Sequence, residues 1–151
     1  MDAPGPKTSY DAVLLLSCGG PESREEVMPF LEHVVRGRRV PKERLLAVAE
    51  HYDAMGGKSP INDLNRELIV ALEAAMAEHG PDLPVYFGNR HSKPFLVDTL
   101  RAMREDGVTR AVGVLTSAFS SYSGCRQYRE AVAAAQAELG EGAPELDMAR
   151  R

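Results

Sequence analysis

The residues of this sequence that could bind a ligand or take part in catalysis lie in four short loops, each beside a predicted strand or helix. The loops read "SCGGPES" (17–23), "HYDAMGGKSPIN" (51–62), "GNRHSKPF" (88–95) and "TSAFSSYSGCRQYRE" (116–130). The last of them combines hydroxyls with tyrosines, and hydroxyls bind carboxylates while aromatic faces bind flat rings. It favours a wall for a flat aromatic ligand with polar substituents. A helix cap with exposed tyrosines explains it equally well.

The other three loops have plain explanations beside the functional ones. Gly19 and Gly20 let the backbone turn sharply and let a ligand approach, but their spacing fits neither GxGxxG nor GxxxxGK[ST]. A simple strand-to-helix turn accounts for them. Ser59 followed by Pro60 is sufficient as a helix start. The polar residues of "GNRHSKPF" are typical of a capping loop.

Known catalytic constellations are missing from the sequence. It contains no HExxH motif, no paired histidine ligands and no nucleophile triad. We interpret the four scattered histidines as surface or helix-end residues: His33, His51, His79 and His91.

Composition excludes several classes of protein. The 151 residues carry a net charge of −4, which argues against nucleic acid or an anionic membrane as partner. We interpret the basic run 36–44 as a solvated loop rather than an anion site. No apolar run approaches the ~20 residues of a membrane span, and the N-terminus has no apolar signal core. Two distant cysteines exclude a disulfide framework. We therefore expect a cytoplasmic protein.

The apolar patterns predict an α/β fold with a parallel sheet and helices on both faces. Buried strands are predicted at 12–17, 83–88 and 110–117, in the order β-α-α-α-β-α-β-α. Ligand sites in such sheets lie at the carboxyl ends of strands, where these loops begin. One predicted helix has an apolar stripe that we expect to face the core: Leu64, Leu68, Leu72, Ala75 and Met76. We expect no strand in the tail.

Taken together, the motifs resemble one family. The segments "YDAVLLLSCGGPES", "RGRRVP", "EHYDAMGGKSPIN", "YFGNRHSKPF" and "TSAFSSYSGCRQYRE" occur in this order and at this spacing in ferrochelatases. They look closest to the coproporphyrin ferrochelatases of Gram-positive bacteria, from about Tyr10 to about Leu146. The resemblance implies a lyase, a metal chelatase of haem biosynthesis that inserts Fe(II) into coproporphyrin III to form coproheme. It also implies one flavodoxin- or Rossmann-like half of a two-domain, chelatase-like fold.

The resemblance assigns roles to individual residues. Ser59 and Tyr128 fall on positions that contact the porphyrin, and Tyr52 falls on a lesser contact. Cys18 falls beside the metal face, where relatives usually carry an aromatic residue or methionine. Some relatives carry a [2Fe–2S] cluster, and Cys125 could be its first ligand. One thiolate cannot hold a cluster, so we expect a free thiol here.

The resemblance also has departures. Ser92 stands where an aromatic is usual, which predicts a looser wall. The family's catalytic His and Glu lie in a second half, so we expect no catalytic residue in this chain and no activity from it alone. We divide the sequence into a flexible N-terminus (1–9), an α/β ferrochelatase domain (10–140) and a tail (141–151), which we interpret as a truncation point.

Two alternatives remain open. The first is a chelatase that inserts another metal into a modified tetrapyrrole. The second is a non-enzymatic, flavodoxin-like binding domain. Under the leading interpretation the partners are coproporphyrin III and ferrous iron, and we expect a monomer.

Overall fold

The computed structural model describes residues 9–117 and 121–149, and the predicted order of elements is confirmed within them, with one strand added. The elements are β1 (Ala12–Ser17), α1 (Arg24–Val34), α2 (Lys42–Ala54), α3 (Ile61–His79), β2 (Val85–Asn89), α4 (Leu96–Glu105), β3 (Arg110–Leu115), α5 (Tyr122–Leu139) and β4 (Glu145–Met148).

The four strands form one parallel sheet in the order β2-β1-β3-β4, which confirms the predicted fold class. The chain leaves β1 toward β2 on one side and returns to β3 on the other. The register places Ser17 opposite Asn89 and Leu16 opposite Leu115, so the carboxyl ends of β1, β2 and β3 are level. Such a reversal of strand order opens a crevice at the carboxyl edge, where ligands bind in this class of fold.

The central strand is apolar along its whole length because both of its faces are covered. Leu14 and Leu16 belong to a buried cluster with α4 and α5. Val13 and Leu15 point to the opposite face and are buried as well. A continuous apolar run, rather than alternation, is typical of a parallel strand between two layers.

A second, smaller cluster lies between α1 and α2. It contains Val27, Phe30 and Leu31 of α1, which helical spacing places on one face, together with Ala49 of α2. Cys18 packs against this cluster from the loop after β1. The cluster therefore fixes α1 and α2 beside the carboxyl end of β1.

The prediction that the apolar stripe of α3 faces the core is wrong at three of its five positions, because Leu64, Leu68 and Ala75 are exposed, while Leu72 and Met76 are only half-buried. Leu64 and Leu68 are 57% and 47% exposed, whereas the buried residues of α3 are Asn62 and Asn65. The physical reason is local: the amide of Asn62 binds the loop after β1 and the amide of Asn89. These polar contacts in the first turn orient the helix.

The prediction that the tail contains no strand is also wrong. Residues 145–148 pair with β3 through backbone bonds, and Glu145 N–H donates to the carbonyl of Thr109 at 2.9 Å. Met148 covers Gly113, where an added Cβ would lie 2.6 Å from its sulfur. The sequence "ELDM" lacks a continuous apolar run because this edge strand is only half buried.

Candidate functional site

Three of the four predicted loops meet at the carboxyl edge of the sheet. Gly20 N–H donates to the hydroxyl of Ser92 at 3.0 Å, which joins the loops after β1 and β2. Ser59 N–H donates to the carbonyl of Pro21 at 2.8 Å, which joins the loop before α3 to the same place. The first part of the fourth loop lies alongside, since Thr116 N–H donates to the carbonyl of Leu16 at 3.1 Å.

Ser59 is half buried directly before α3. Its Oγ accepts from the N–H of Ile61, the first residue of α3, at 3.3 Å, although the cap position itself is Pro60, one residue later than predicted. It also lies against the loop after β1, because a Cβ added to Gly20 would come within 2.9 Å of Ser59 Oγ. A hydroxyl that accepts one hydrogen bond keeps its own proton for donation, for example to a ligand carboxylate.

Cys18 and Tyr52 are neighbours. Both pack on the cluster of α1 and α2, and the Tyr52 ring meets Phe30 edge to face at 6.1 Å. Burial raises the pKa of the Cys18 thiol, although the Arg90 charge opposes this, and burial together with the charge of Cys18 raises the pKa of Tyr52. At neutral pH both groups are therefore protonated, and the thiol is a weak ligand and a weak nucleophile.

Tyr128, which the resemblance places at a porphyrin contact, is buried. It is 8% exposed and belongs to the core cluster with α4. The guanidinium carbon of Arg90 lies 5.0 Å from the centre of its ring, and Arg90 Nη1 lies 3.4 Å from Gln127 Oε1. Arg90 thus covers Tyr128 at the edge where a ligand would approach, and its cation interacts with the ring.

The structure describes only some of the other residues of the hydroxyl-rich loop. Ser121 caps α5, and its Oγ accepts from Gly124 N–H at 2.9 Å, which confirms the capping prediction there. Ser120 lies outside the described residues, and the side chains of Tyr122 and Ser123 are likewise not described.

Sequence reasoning missed a histidine pair in this site. His33 of α1 and His91 of the loop after β2 approach to 2.9 Å between their Nδ1 atoms, with Phe30 and Phe95 beside them. One Nδ1 donates its proton and the other accepts it. Burial, assisted by Arg90, His33 and Arg38, lowers the pKa of His91 to about 4. Burial, Arg36 and Arg90 also lower the pKa of His33, so the pair is neutral at pH 7.

A cavity of about 330 Å³ lies beside the histidine pair. Phenylalanine, proline and histidine side chains form most of its walls, and the exposed charged residues Glu26, Arg36 and Lys93 line it as well. A second cavity of about 500 Å³ shares His33, Arg36 and Phe95, and adds Arg90 and the alanines of α5. Each cavity also has one carboxylate, Glu26 in the first and Glu138 in the second, so cations outnumber carboxylates two to one in both. Apolar walls with an excess of cations suit a flat ligand that carries carboxylates.

Metal ligands are sparse in the part of the chain that the structure describes. No group of three or more His, Cys, Asp or Glu side chains is placed to hold a metal ion there. Cys125 is half buried on α5 as a free thiol, and Cys18 is the other. Two cysteines by themselves are fewer than the four protein ligands of an iron–sulfur cluster.

No helix among the described residues has the length and apolarity that crossing a bilayer requires.

Comparison with known proteins agrees with the motifs. Residues 10–151 match the sequence model of the family described as Ferrochelatase. A protein named Ferrochelatase from Rhodopirellula baltica is 55% identical over 141 residues, which cover 93% of this chain and 40% of that protein. Two proteins named Coproporphyrin III ferrochelatase, from Mycolicibacterium smegmatis and Streptomyces coelicolor, are each 58% identical, over 138 and 144 residues.

These last two matches cover 91% and 93% of this chain, but only 41% and 38% of the respective relatives. The chain therefore spans about 40% of the length of the relatives it matches. The family model covers almost every described residue, including all the loops of the site. On this evidence the chain belongs to the ferrochelatase family.

Proposed function

We propose that this chain provides the tetrapyrrole-binding part of a coproporphyrin III ferrochelatase, which inserts Fe(II) into coproporphyrin III to form coproheme. The observation that carries the proposal is the meeting of the family's loops around a largely apolar cavity in which two cations outnumber one carboxylate. Relatives of that name are 58% identical to it. The two substrates, the tetrapyrrole and ferrous iron, follow from the family.

The residues suit the parts of this ligand. A tetrapyrrole is broad and apolar, and Phe30 and Phe95 offer aromatic walls. Its carboxylates need donors, which Arg36 and Lys93 supply at the cavity and Ser59 supplies at the start of α3. Tyr52 extends the aromatic wall from Phe30 toward Cys18.

Metal insertion also needs a base for two pyrrole protons and a ligand that delivers iron. The pKa of Cys18 is raised by burial, which leaves a thiol at neutral pH, and the pKa of His91 is lowered to about 4, which makes it a weak base. We therefore assign no catalytic residue to this chain. We propose that the full reaction depends on groups outside residues 1–151 and that this segment alone is inactive.

The proposal includes a setting. We propose a cytoplasmic monomer whose partners are coproporphyrin III and ferrous iron and which binds no nucleic acid. The net charge of −4 supports the last point, because an acidic protein repels polyphosphate backbones.

Titration of the chain with coproporphyrin III, followed by absorbance, tests binding. We expect saturable binding that weakens about tenfold in Ser59→Ala, the equivalent of one lost charged hydrogen bond. Thr109→Val is the control, because it removes a hydroxyl at the amino edge of the sheet, where Thr109 binds Asp11. Absence of saturable binding, or an equal loss in both variants, would contradict the proposal.

An anaerobic assay with Fe(II) and coproporphyrin III tests the inactivity of the segment. We expect metalation at the uncatalysed rate. Turnover that disappears in Cys18→Ala would show that the segment is itself an enzyme.

The same titration separates the two alternatives. A chelatase for another tetrapyrrole would bind a precorrin better than coproporphyrin III. A flavodoxin-like binding domain, which the strand order β2-β1-β3-β4 also permits, would bind flavin mononucleotide and no porphyrin.

A further inference from the structure

Three buried polar side chains hold the loops of the site together. Asn62, Asn89 and Ser92 are 1%, 0% and 7% exposed. The Asn89 amide nitrogen donates to Asn62 Oδ1 at 2.9 Å and lies 3.3 Å from Ser92 Oγ. It also lies 3.2 Å from the carbonyl of Lys93. Buried polar groups in such a network fix one arrangement of the backbone, because any other arrangement leaves them unpaired.

The network grips the loop after β1 at a single residue. Gly20 N–H donates to Ser92 Oγ at 3.0 Å, and the Gly20 carbonyl accepts from the Asn62 amide at 3.2 Å. Both polar groups of this peptide segment are thus held by side chains from two other elements. The preceding residue, Gly19, is packed tightly against the same side chain, since a Cβ added to Gly19 would lie 2.1 Å from Ser92 Oγ.

Gly20 in turn lies next to Ser59 and close to Cys18, two of the residues predicted to lie at the ligand. A Cβ on Gly20 would lie 2.7 Å from Ser59 Cβ, so the two residues are in close contact. On the other side, His91 N–H donates to the Cys18 carbonyl at 3.1 Å. A shift of Gly20 would therefore move Cys18 and Ser59 together.

We propose that Ser92, Asn62 and Asn89 are positioning residues, which hold Cys18 and Ser59 in the arrangement that the tetrapyrrole meets. Their effect on the ligand rests on the proposed function, whereas their effect on the loop does not. Ser92 is the centre of the network because its single oxygen accepts from Gly20 and lies within reach of Asn89. An aromatic residue at this position, the usual family pattern, would offer Gly20 no such acceptor.

The thiol of Cys18 reports the position of the loop without any ligand. In a Cys125→Ser background, Cys18 is the only thiol, and the rate of labelling by a disulfide reagent measures its accessibility. We expect Ser92→Ala to speed labelling about tenfold, because Gly20 N–H loses its buried acceptor. Thr99→Val is the matched control: Thr99 is also 7% exposed and its hydroxyl binds the Phe87 carbonyl at 2.7 Å.

Because both variants lose one buried hydroxyl, global destabilisation affects them alike, and only the loop distinguishes them. Equal labelling rates in Ser92→Ala, Thr99→Val and the parent would overturn the proposal. Hydrogen exchange of the unsubstituted protein gives a second measurement that needs no variant. The Gly20 amide should exchange at least about 100-fold more slowly than an unstructured amide, and exchange at the unstructured rate would overturn the proposal.

Coproporphyrin III titration then connects the loop to the ligand. We expect Ser92→Ala to weaken binding about tenfold and Thr99→Val to leave it within about twofold. If the parent chain binds no porphyrin, the proposed function fails, and labelling and exchange still decide the role of the network. If the parent binds and Ser92→Ala binds equally well, the positioning role fails.

Discussion

The two edges of the sheet differ in how their polar groups are paired. At the amino edge, the Asp11 carboxylate accepts from Thr109 N–H and Thr109 Oγ1, both at 2.8 Å. Asp147 accepts from the Tyr10 hydroxyl at 3.0 Å and forms an ion pair with Arg110. At the carboxyl edge, by contrast, three buried side-chain atoms have no hydrogen-bond partner among the described residues: Ser17 Oγ, Asn89 Oδ1 and Arg90 Nε.

The charges differ in the same way. The carboxylates of Asp11 and Asp147 both meet donors, and their pKa values are lowered by those hydrogen bonds. At the carboxyl edge Arg90 lies beside neutral imidazoles and a protonated thiol, and no ion pair among the described residues includes it. One edge is complete within the protein, while the other has cationic and hydrogen-bonding capacity for an anionic ligand.

The largest effect is expected from Asn89→Ala. It removes the buried amide that joins Asn62, Ser92 and Lys93, and the partners left behind should cost about 2–4 kcal/mol of unfolding free energy. Urea denaturation measures the loss. The comparison variant is Leu16→Ala, which removes a core side chain next to Ser17. If Asn89→Ala lowered the unfolding free energy by less than about 1 kcal/mol while Leu16→Ala lowered it by several, apolar packing rather than the polar network would stabilise this edge.

Acid should affect the two edges in different pH windows. The unfolded chain protonates its histidines near pH 6.5, whereas folded His91 protonates only near pH 4. The unfolded state is therefore favoured as pH falls between these values, at a cost of about 1–2 kcal/mol after allowance for solvent screening. The aspartates of the amino edge, whose pKa values are lowered, lose their stabilisation only below about pH 4.

Thermal denaturation between pH 7 and pH 4.5 measures the effect, and His91→Asn should flatten the dependence in this window. An unchanged slope in that variant would show that other groups cause it.

Removal of the Arg90 charge should change the titration of its neighbours. In Arg90→Gln the pKa values of His33 and His91 should rise toward the ordinary value, and that of Cys18 should rise further, because the cation lowers all three. Proton NMR of the imidazoles measures the first two. Arg101→Gln is the control, since Arg101 pairs with Asp98 on the exposed face of α4 and should leave the imidazoles unaffected.

The smallest effect is expected at the amino edge. Asp147→Asn weakens a partly exposed ion pair with Arg110 and keeps an oxygen for the Tyr10 hydroxyl. The melting temperature should fall by no more than about 2–3 °C, and less at high salt. A larger decrease would mean that the edge strand β4 depends on this pair, and the contrast between the edges would disappear.

Local patterns predicted much of this fold. The apolar run 12–17 coincides with β1, and the runs at 83–88 and 110–117 overlap β2 and β3. The face of α1 was predictable because helical spacing and burial agree there. In α3 helical spacing predicted the wrong buried face, because the hydrogen bonds of Asn62 orient the helix and leave Leu64 and Leu68 exposed. The half-polar strand β4 gave no apolar signal.

The sequence by itself determined the first three strands, the loops at their carboxyl ends and the family, because each depends on runs of neighbouring residues. Only the tertiary structure decided what those loops do to one another. His33 meets His91 across 58 positions, and Arg90 covers Tyr128 from another element. Such contacts, and the pKa values that follow from them, depend on burial and on distances across the sheet edge, which no local pattern contains.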